Sequence, residues 1–101
     1  MIARTWRGYA TRENAPHYIE HFEQGVFPEL QQIAGYQGAY VLQKERAEDV
    51  EILVMTFWES MEAIRQFAGD NAEVAVVAPA AQAILNSFDA VVSHYEVMIE
   101  K

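Results

Sequence analysis

The chain has 101 residues, a length that fits one domain, and it contains no cysteine, so neither disulfides nor thiolate metal sites are available to it. Its 15 acidic against 7 basic residues give a net charge of −8, which disfavours binding to nucleic acid or to an anionic membrane. No apolar run approaches the ~18 residues that a membrane span needs. We therefore expect one cytoplasmic domain over residues 1–101, with enough hydrophobic content (51%) to favour a homodimer.

The N-terminal third of the chain predicts a strand followed by a long helix. Residues 2–9 are rich in aromatic and β-branched types, which favour an extended strand. A helix is expected to begin near Asn14, because the apolar residues after it recur every three or four positions and so form one buried stripe. Gly25 and Pro28 fall within this stripe. Proline lacks the backbone donor that a helix interior uses, so we expect the helix to bend or break there.

The middle of the chain predicts a β-hairpin. Gly35 ends the helix, and residues 36–44 and 50–58 read as two strands joined by a charged, solvated turn. The second of these strands is apolar almost throughout, which indicates that both of its faces are covered.

The last part of the chain predicts helices and a final strand. Ser60 is a suitable cap for a helix ending near Ala68. Asp70 and Glu73 have capping-box spacing and predict a further helix, with short helices continuing toward residue 88. A strand is expected over residues 91–99. The resulting order β-α-β-β-α-β predicts a ferredoxin-like α+β fold, a four-stranded antiparallel sheet with its helices on one face.

Four segments, taken in order, carry a resemblance to a known family. They are residues 3–8 (ARTWRG), 53–60 (LVMTFWES), 63–70 (AIRQFAGD) and 94–97 (HYEV). Together they resemble one branch of the antibiotic biosynthesis monooxygenase family. The resemblance implies a dimer whose two sheets form a shared α/β barrel, a pocket between sheet and helices, and oxidation of the substrate without a bound cofactor. The superfamily also contains isomerases, haem-degrading enzymes and proteins of unknown role, so the fold alone does not define the chemistry.

The same resemblance bears on haem degradation. Haem-degrading relatives use an asparagine, a tryptophan and a histidine, and counting from the shared segments puts these positions at Trp6, Phe67 and Val77. None of the three residue types is kept. Since a valine has no nitrogen with which to hold iron, haem degradation is disfavoured.

A second motif points to zinc but is better explained by the helix that contains it. His17, Glu20 and His21 match the H-x-x-E-H pattern of inverted zinc proteases. However, Tyr18 and Phe22 belong to the stripe that must be buried, which turns His17 outward and places His21 on the flank. We therefore interpret the segment as a solvated helix face and predict no metal site.

Alternation along the first strand separates two arginines. Side chains of a strand point to opposite faces in turn, so Arg4 and Trp6 face the helices while Arg7 faces away. One interpretation of Arg4 is structural, with an acidic partner and with Trp6 in the core. The other is catalytic: the guanidinium stabilises the enolate or phenolate that a cofactor-free oxygenase must form before it reacts with oxygen.

The final strand contributes His94 and Tyr95, which face opposite ways. His94 is the side chain of the sheet able to exchange a proton near neutral pH, so we predict that it is catalytic together with Arg4, while a hydrogen-bonded structural histidine is the alternative. We assign substrate binding to aromatic residues that would form apolar walls for a flat ring. These residues are Trp6, Phe22, Trp58, Phe67 and Tyr95.

The resemblance and these residues lead to one functional hypothesis and one alternative. The hypothesis is a cofactor-independent monooxygenase that acts on a small aromatic or polycyclic phenol, with the substrate supplying the electrons. The alternative is a non-catalytic domain of the same fold that binds a small ligand or serves a stress response. In both cases the expected partners are a second copy of the chain and a small aromatic ligand.

Overall fold

The five strands of the computed structural model, which describes all 101 residues, form one antiparallel sheet. The strands are β1 (Ile2–Ala10), β2 (Tyr36–Glu45), β3 (Val50–Trp58), β4 (Ser87–Phe88) and β5 (Ser93–Glu96). Their order is β2-β3-β1, and the two short strands β4 and β5 share the remaining side of β1. The fourth strand of the predicted sheet is thus divided into two short strands, β4 and β5. This arrangement confirms the predicted ferredoxin-like α+β fold.

The helices lie on one face of this sheet. They are α1 (Ala15–His21), a π-helical turn (Phe22–Val26), α2 (Phe27–Gln31), α3 (Met61–Ala68) and α4 (Pro79–Ile84). The interruption expected at Gly25 and Pro28 is confirmed as the π-helical turn, after which Pro28 lies in the first turn of α2, where its missing N–H costs no intrahelical bond. None of these helices has the length and apolar character needed to span a bilayer.

Helix α3 follows its local sequence signals closely. The Ser60 hydroxyl accepts a hydrogen bond from the Ala63 amide at 3.1 Å, as an N-cap residue does. The helix ends at Gly69, whose φ of +84° lies in a region that L side chains rarely adopt. The predicted start and end of this helix are confirmed.

The core lies between the sheet and the helices. Alternate residues of β3 point into it and are buried, whereas the residues between them are only partly covered. In the single chain the outer face of this strand is covered only in part, because all the helices pack on the other face, so the prediction that both faces are covered stays a prediction. The buried side chains of β3 are Val50, Ile52, Val54, Thr56 and Trp58.

Residues 70–78, which we call the strap, are not helical, and the helix expected from Asp70 and Glu73 is wrong. The strap crosses the helix side of the sheet in an irregular conformation. The Ala75 amide donates to the Ala90 carbonyl at 3.0 Å, and the Glu73 carbonyl accepts from the Val92 amide at 2.8 Å. These bonds to a distant segment occupy backbone groups that a helix would pair internally. The short helices expected toward residue 88 reduce to α4.

The final strand is also shorter than predicted. Residues 90–92 leave the edge of β1 to pair with the strap, so the strand expected over residues 91–99 is observed only as β5, with the separate strand β4 before it. Beyond β5, the Val97 amide still donates to the Met1 carbonyl at 2.9 Å. Met98 and Ile99 are exposed.

Candidate functional site

A cavity of about 150 Å³ lies between the sheet and the helices, with the strap along one side. Twelve of its seventeen lining residues are hydrophobic, so a guest would meet mostly apolar surface. The sheet contributes Arg4 and Trp6, helix α3 contributes Phe67, and the strap contributes Val76 and Val77. Small ligands bind in cavities of this character, with a few polar groups to orient them.

Arg4 is the buried charged residue of the cavity, with 5% of its surface exposed. Its Nη1 donates to the Ala72 carbonyl at 2.6 Å and its Nη2 to the Val74 carbonyl at 3.3 Å, which fastens the strap to β1. Nη1 also lies 3.0 Å from Nε2 of His94, the residue directly opposite on β5. The guanidinium carbon is 5.9 Å from the centre of the Phe67 ring.

No carboxylate forms an ion pair with Arg4. The ion pairs of the molecule belong to Arg7, Arg12 and Arg46. Burial lowers the pKa of the Arg4 guanidinium, and the charge of Glu73 opposes this shift without a direct contact. The acidic partner of the structural interpretation is therefore replaced by two backbone carbonyls and an imidazole, and no carboxylate lies within ion-pair distance of the guanidinium.

His94 supports Arg4 and does not border the cavity. A guanidinium has only donors, so Nε2 of His94 must accept, which assigns the neutral ring with its proton on Nδ1. Burial and then the charge of Arg4 lower the pKa of His94, while Glu73 raises it. The contact between His94 and the cavity therefore runs through Arg4.

Trp6 forms a second link between the cavity and the chain segments around it. Its Nε1 donates to the Asp89 carbonyl at 2.9 Å, and its ring lies 5.9 Å from that of Tyr18 and 6.2 Å from that of Phe88. A side chain at Gly8 would meet the Trp6 ring, since an added Cβ would be 2.7 Å from it. Glycine at that position therefore allows the indole to approach the strand closely.

The predicted aromatic walls divide into residues that reach the cavity and residues that do not. Phe22 and Phe67 border it together with Trp6. Trp58 is fully buried behind Phe67, stacked on it at 6.0 Å, and its Nε1 donates to the Thr56 hydroxyl at 2.8 Å. It supports the wall without touching a guest.

Tyr95 lies on the opposite face of the sheet, 59% exposed, because side chains alternate along β5. The structure therefore corrects its assignment to the binding wall. The cavity instead contains residues that the sequence analysis did not assign to the site, above all Tyr18 and the strap valines Val76 and Val77. Burial raises the pKa of Tyr18, so its hydroxyl is neutral at physiological pH. The available signal for Tyr18 was its place on the buried stripe, and for Val77 it was the correspondence with the histidine of haem-degrading relatives; Val76 had no such signal.

The H-x-x-E-H segment lies at the outer edge of the site. His17 and Glu20 are exposed, and His21 borders the cavity near Gly25 in the π-helical turn. No group of three or more histidine, aspartate or glutamate side chains is arranged to hold a metal ion. The pairing of His17 with His21 therefore lacks a third protein ligand, which zinc sites in proteins require.

Comparison with known proteins places this geometry in a family. A family model described as antibiotic biosynthesis monooxygenase matches residues 1–78. No curated protein sequence matches the chain. A candidate antibiotic biosynthesis monooxygenase from Bacillus cereus has a similar structure, with a TM-score of 0.70 and 23% identity over 99% of this chain and 95% of that one.

Two further solved structures share the fold. A candidate antibiotic biosynthesis monooxygenase from Deinococcus radiodurans has a TM-score of 0.66 and 13% identity, covering 100% of this chain and 96% of that one. The haem degrader MhuD from Mycobacterium tuberculosis, solved with two haems in its active site, has a TM-score of 0.65 and 18% identity, covering 100% and 99%. The family match spans most of the sequence and includes Arg4, Trp6 and the strap, and on that basis the chain belongs to the antibiotic biosynthesis monooxygenase family.

Proposed function

We propose that this protein is a cofactor-independent monooxygenase that oxidises a single-ring phenol. The observation that carries the proposal is a buried, unpaired guanidinium at the wall of a small apolar cavity. The cavity has a volume of about 150 Å³. An engineered apolar cavity of about the same volume accommodates benzene. The volume therefore favours one aromatic ring over the polycyclic phenols that the sequence analysis left open.

The reaction that fits this site is oxidation of a phenol to a quinone. A phenol with a hydrogen on its para carbon loses the hydroxyl proton, and the phenolate then gives electrons to O₂. One oxygen atom becomes bonded to the para carbon as the second carbonyl, and the other leaves as water with the two displaced hydrogens. The substrate supplies all four electrons, so the balance is phenol plus O₂ to quinone plus water.

Arg4 is the residue that we assign to charge stabilisation in this reaction. A fixed cation in an apolar site stabilises a phenolate more strongly than water does, because it needs no reorganisation when the charge forms. The contacts with Ala72, Val74 and His94 hold the guanidinium in place. Orientation of the ring by Trp6 and Phe67 contributes further, since both rings border the cavity.

His94 is assigned to positioning Arg4 in this proposal. Its Nε2 lone pair already accepts from Arg4, and no part of the residue borders the cavity, which argues against direct proton abstraction from a guest. The general-base role stays a prediction that His94→Gln tests. The glutamine carbonyl can still accept from Arg4, so a positioning role predicts turnover near that of the wild type. Loss of a general base predicts a fall of about 10² or more.

Haem does not fit the residues of this cavity. The positions that correspond to the haem-degrading set, Trp6, Phe67 and Val77, all border the cavity, and the last offers no ligand nitrogen. A cavity with room for about one benzene ring is too small for a tetrapyrrole. We therefore do not extend the activity of MhuD to this chain.

The proposal includes a homodimer. The outer face of the sheet carries large apolar side chains that the single chain leaves exposed, among them Tyr40 and Leu42 of β2. An exposed apolar surface of this kind is typical of an interface, and a second copy would cover it by twofold symmetry. We place the protein in the cytoplasm because a chain without cysteine suits a reducing compartment.

The test is oxygen consumption with single-ring phenols that have a free para position. The wild-type protein, freed of metals by chelation, should consume one O₂ for each quinone formed. Arg4→Gln should lower the rate by about 10² or more, the usual loss when a stabiliser of developing negative charge is removed. Arg7→Gln removes the same charge from the other face of β1 and should leave the rate unchanged. Saturable binding of these phenols without oxygen uptake would instead favour the non-catalytic alternative.

A further inference from the structure

His21 is the histidine of the H-x-x-E-H segment that reaches the cavity. It also borders an outer groove, a polar depression of the surface lined by His17, Glu20 and Gln24. A Cβ added at Gly25 would lie 3.7 Å from Cε1 and from Nδ1 of His21, so the imidazole lies beside Gly25, which borders both spaces as well. His21 can therefore exchange a proton with a guest on one side and with solvent on the other.

The imidazole nitrogens of His21 have no partner within the protein. None of the side-chain hydrogen bonds of the molecule involves this ring. The one buried side-chain polar atom without a partner is the Tyr36 hydroxyl, so both nitrogens of His21 are accessible. In contrast, Nε2 of His94 accepts from Arg4. A histidine with a free nitrogen can accept a proton near neutral pH.

The other titratable residues of the cavity are less suited to accept a proton. The guanidinium of Arg4 has only donors. Burial raises the pKa of Tyr18, so its hydroxyl stays protonated. Glu29 is exposed, so water hydrates its carboxylate and competes with a guest for it. His21 is thus the proton acceptor that the cavity offers.

Arg4 and His21 lie on opposite walls of the cavity. Arg4 belongs to β1 of the sheet, and His21 is the last residue of helix α1. The ring of Tyr18 lies 5.9 Å from that of His21 and 5.9 Å from that of Trp6, which is on the sheet. The cavity has room for about one benzene ring. A phenol whose oxygen contacts Arg4 therefore directs its para carbon toward the helix wall, where His21 lies.

We propose that His21 is the base that removes the hydrogen from the para carbon of the substrate. The inference rests on the proposed function and adds a catalytic residue to it. Addition of O₂ to the phenolate, with return of the phenolic proton, leaves a hydroperoxide on the para carbon beside its original hydrogen. His21 takes this hydrogen as a proton, the C–H electron pair forms the second bond of the new carbonyl, and the O–O bond breaks. The departing hydroxide takes the proton from His21 and leaves as water.

Single-turnover kinetics separate this step from the earlier ones. The probes are phenol, 2-methylphenol and 3-methylphenol, each with hydrogen or deuterium on the para carbon. His21→Gln should slow quinone formation by about 10² or more, the usual loss of a general base, while the first O₂ is consumed at the rate of the wild type. The para-deuterium isotope effect on quinone formation should increase, because C–H cleavage then limits the rate. His17→Gln, which removes the other histidine of the segment, and Glu29→Gln should match the wild type.

Restoring the lost base gives a second measurement. In His21→Ala, imidazole added to the solution should speed quinone formation, and it should have no effect on the wild type. If His21→Gln does not fold, this comparison decides. Unchanged quinone formation in folded His21→Gln overturns the role of His21 and leaves the oxygenase standing, as do equal losses of O₂ consumption and quinone formation without rescue by imidazole. A wild-type protein that consumes no O₂ overturns the proposed function itself, and this role with it.

Discussion

The two faces of the sheet use the same residue types for opposite purposes. On the face toward the helices, Arg4 is buried, has no carboxylate within ion-pair distance and borders the cavity. On the outer face, three positions along the same strand, Arg7 is exposed and lies 3.6 Å from the carboxylate of Glu51. Trp58 and Tyr95 differ in the same way, one fully buried and one exposed. Burial, and not residue type, thus decides whether a side chain serves the core, the cavity or the outer surface.

Removing an aromatic side chain from each face should give the largest contrast. Trp58→Ala should lower the free energy of unfolding by about 3–5 kcal/mol, because it leaves a large gap beneath Phe67. Tyr95→Ala, on the outer face, should cost less than about 1 kcal/mol, as most exposed substitutions do. Urea unfolding of both variants measures the difference. Similar losses would mean that the outer face is as tightly packed as the core.

Placing a charge on the outer face tests what covers it. Tyr40→Glu should weaken dimerisation at least about thirtyfold, the effect of losing an interface residue worth about 2 kcal/mol together with like-charge repulsion. Gln31→Glu adds the same charge on the helix side and should leave association unchanged. Sedimentation equilibrium over a range of concentrations measures both. A wild-type protein that stays monomeric at every concentration would contradict the proposed homodimer.

Replacing Arg4 or Arg7 with glutamine compares an arginine that holds the strap with one that forms a surface ion pair. Arg4→Gln should speed hydrogen exchange of the Ala75 and Val92 amides about tenfold or more, since two carbonyls of the strap lose charged donors worth at least about 1.4 kcal/mol. Arg7→Gln should leave these two amides unchanged, because an exposed ion pair contributes little. Amide exchange followed by NMR gives the rates. Unchanged protection in Arg4→Gln would show that backbone bonds alone hold the strap.

The smallest expected effect is a pH dependence that His94 introduces. Burial and the charge of Arg4 lower the pKa of His94 from its ordinary value of 6.5, so the unfolded chain takes up the proton more readily. The stabilisation is present above about pH 6.5 and is lost as the pH falls toward the lower folded value. Denaturant unfolding at pH 7.5 and 5.5 should therefore show a steeper loss for the wild type than for His94→Gln. Equal slopes would mean that His94 does not titrate differently on folding.

The sequence by itself determined the features that depend on near neighbours. The hairpin of β2 and β3, the capped helix α3 and the interruption near Pro28 all follow from local backbone preferences, which act whatever the rest of the chain does. Strand alternation likewise put Arg4 and Trp6 on the helix face and Arg7 on the other. The family resemblance followed from the same segments, which belong to these regular elements.

Only the tertiary structure decided the features that depend on contacts between distant segments. The strap has capping-box residues and is nevertheless not helical, because its carbonyls bond to Arg4, 68 and 70 residues away in the chain, and its backbone pairs with residues 90–92. The same pairing divides the final strand. Two further features also depend on how strands and helices pack together. They are the contact of Arg4 with His94 and the position of Trp58 outside the cavity. Periodicity assigns a side chain to a face, but competition among distant hydrogen-bonding groups decides which partner it meets there.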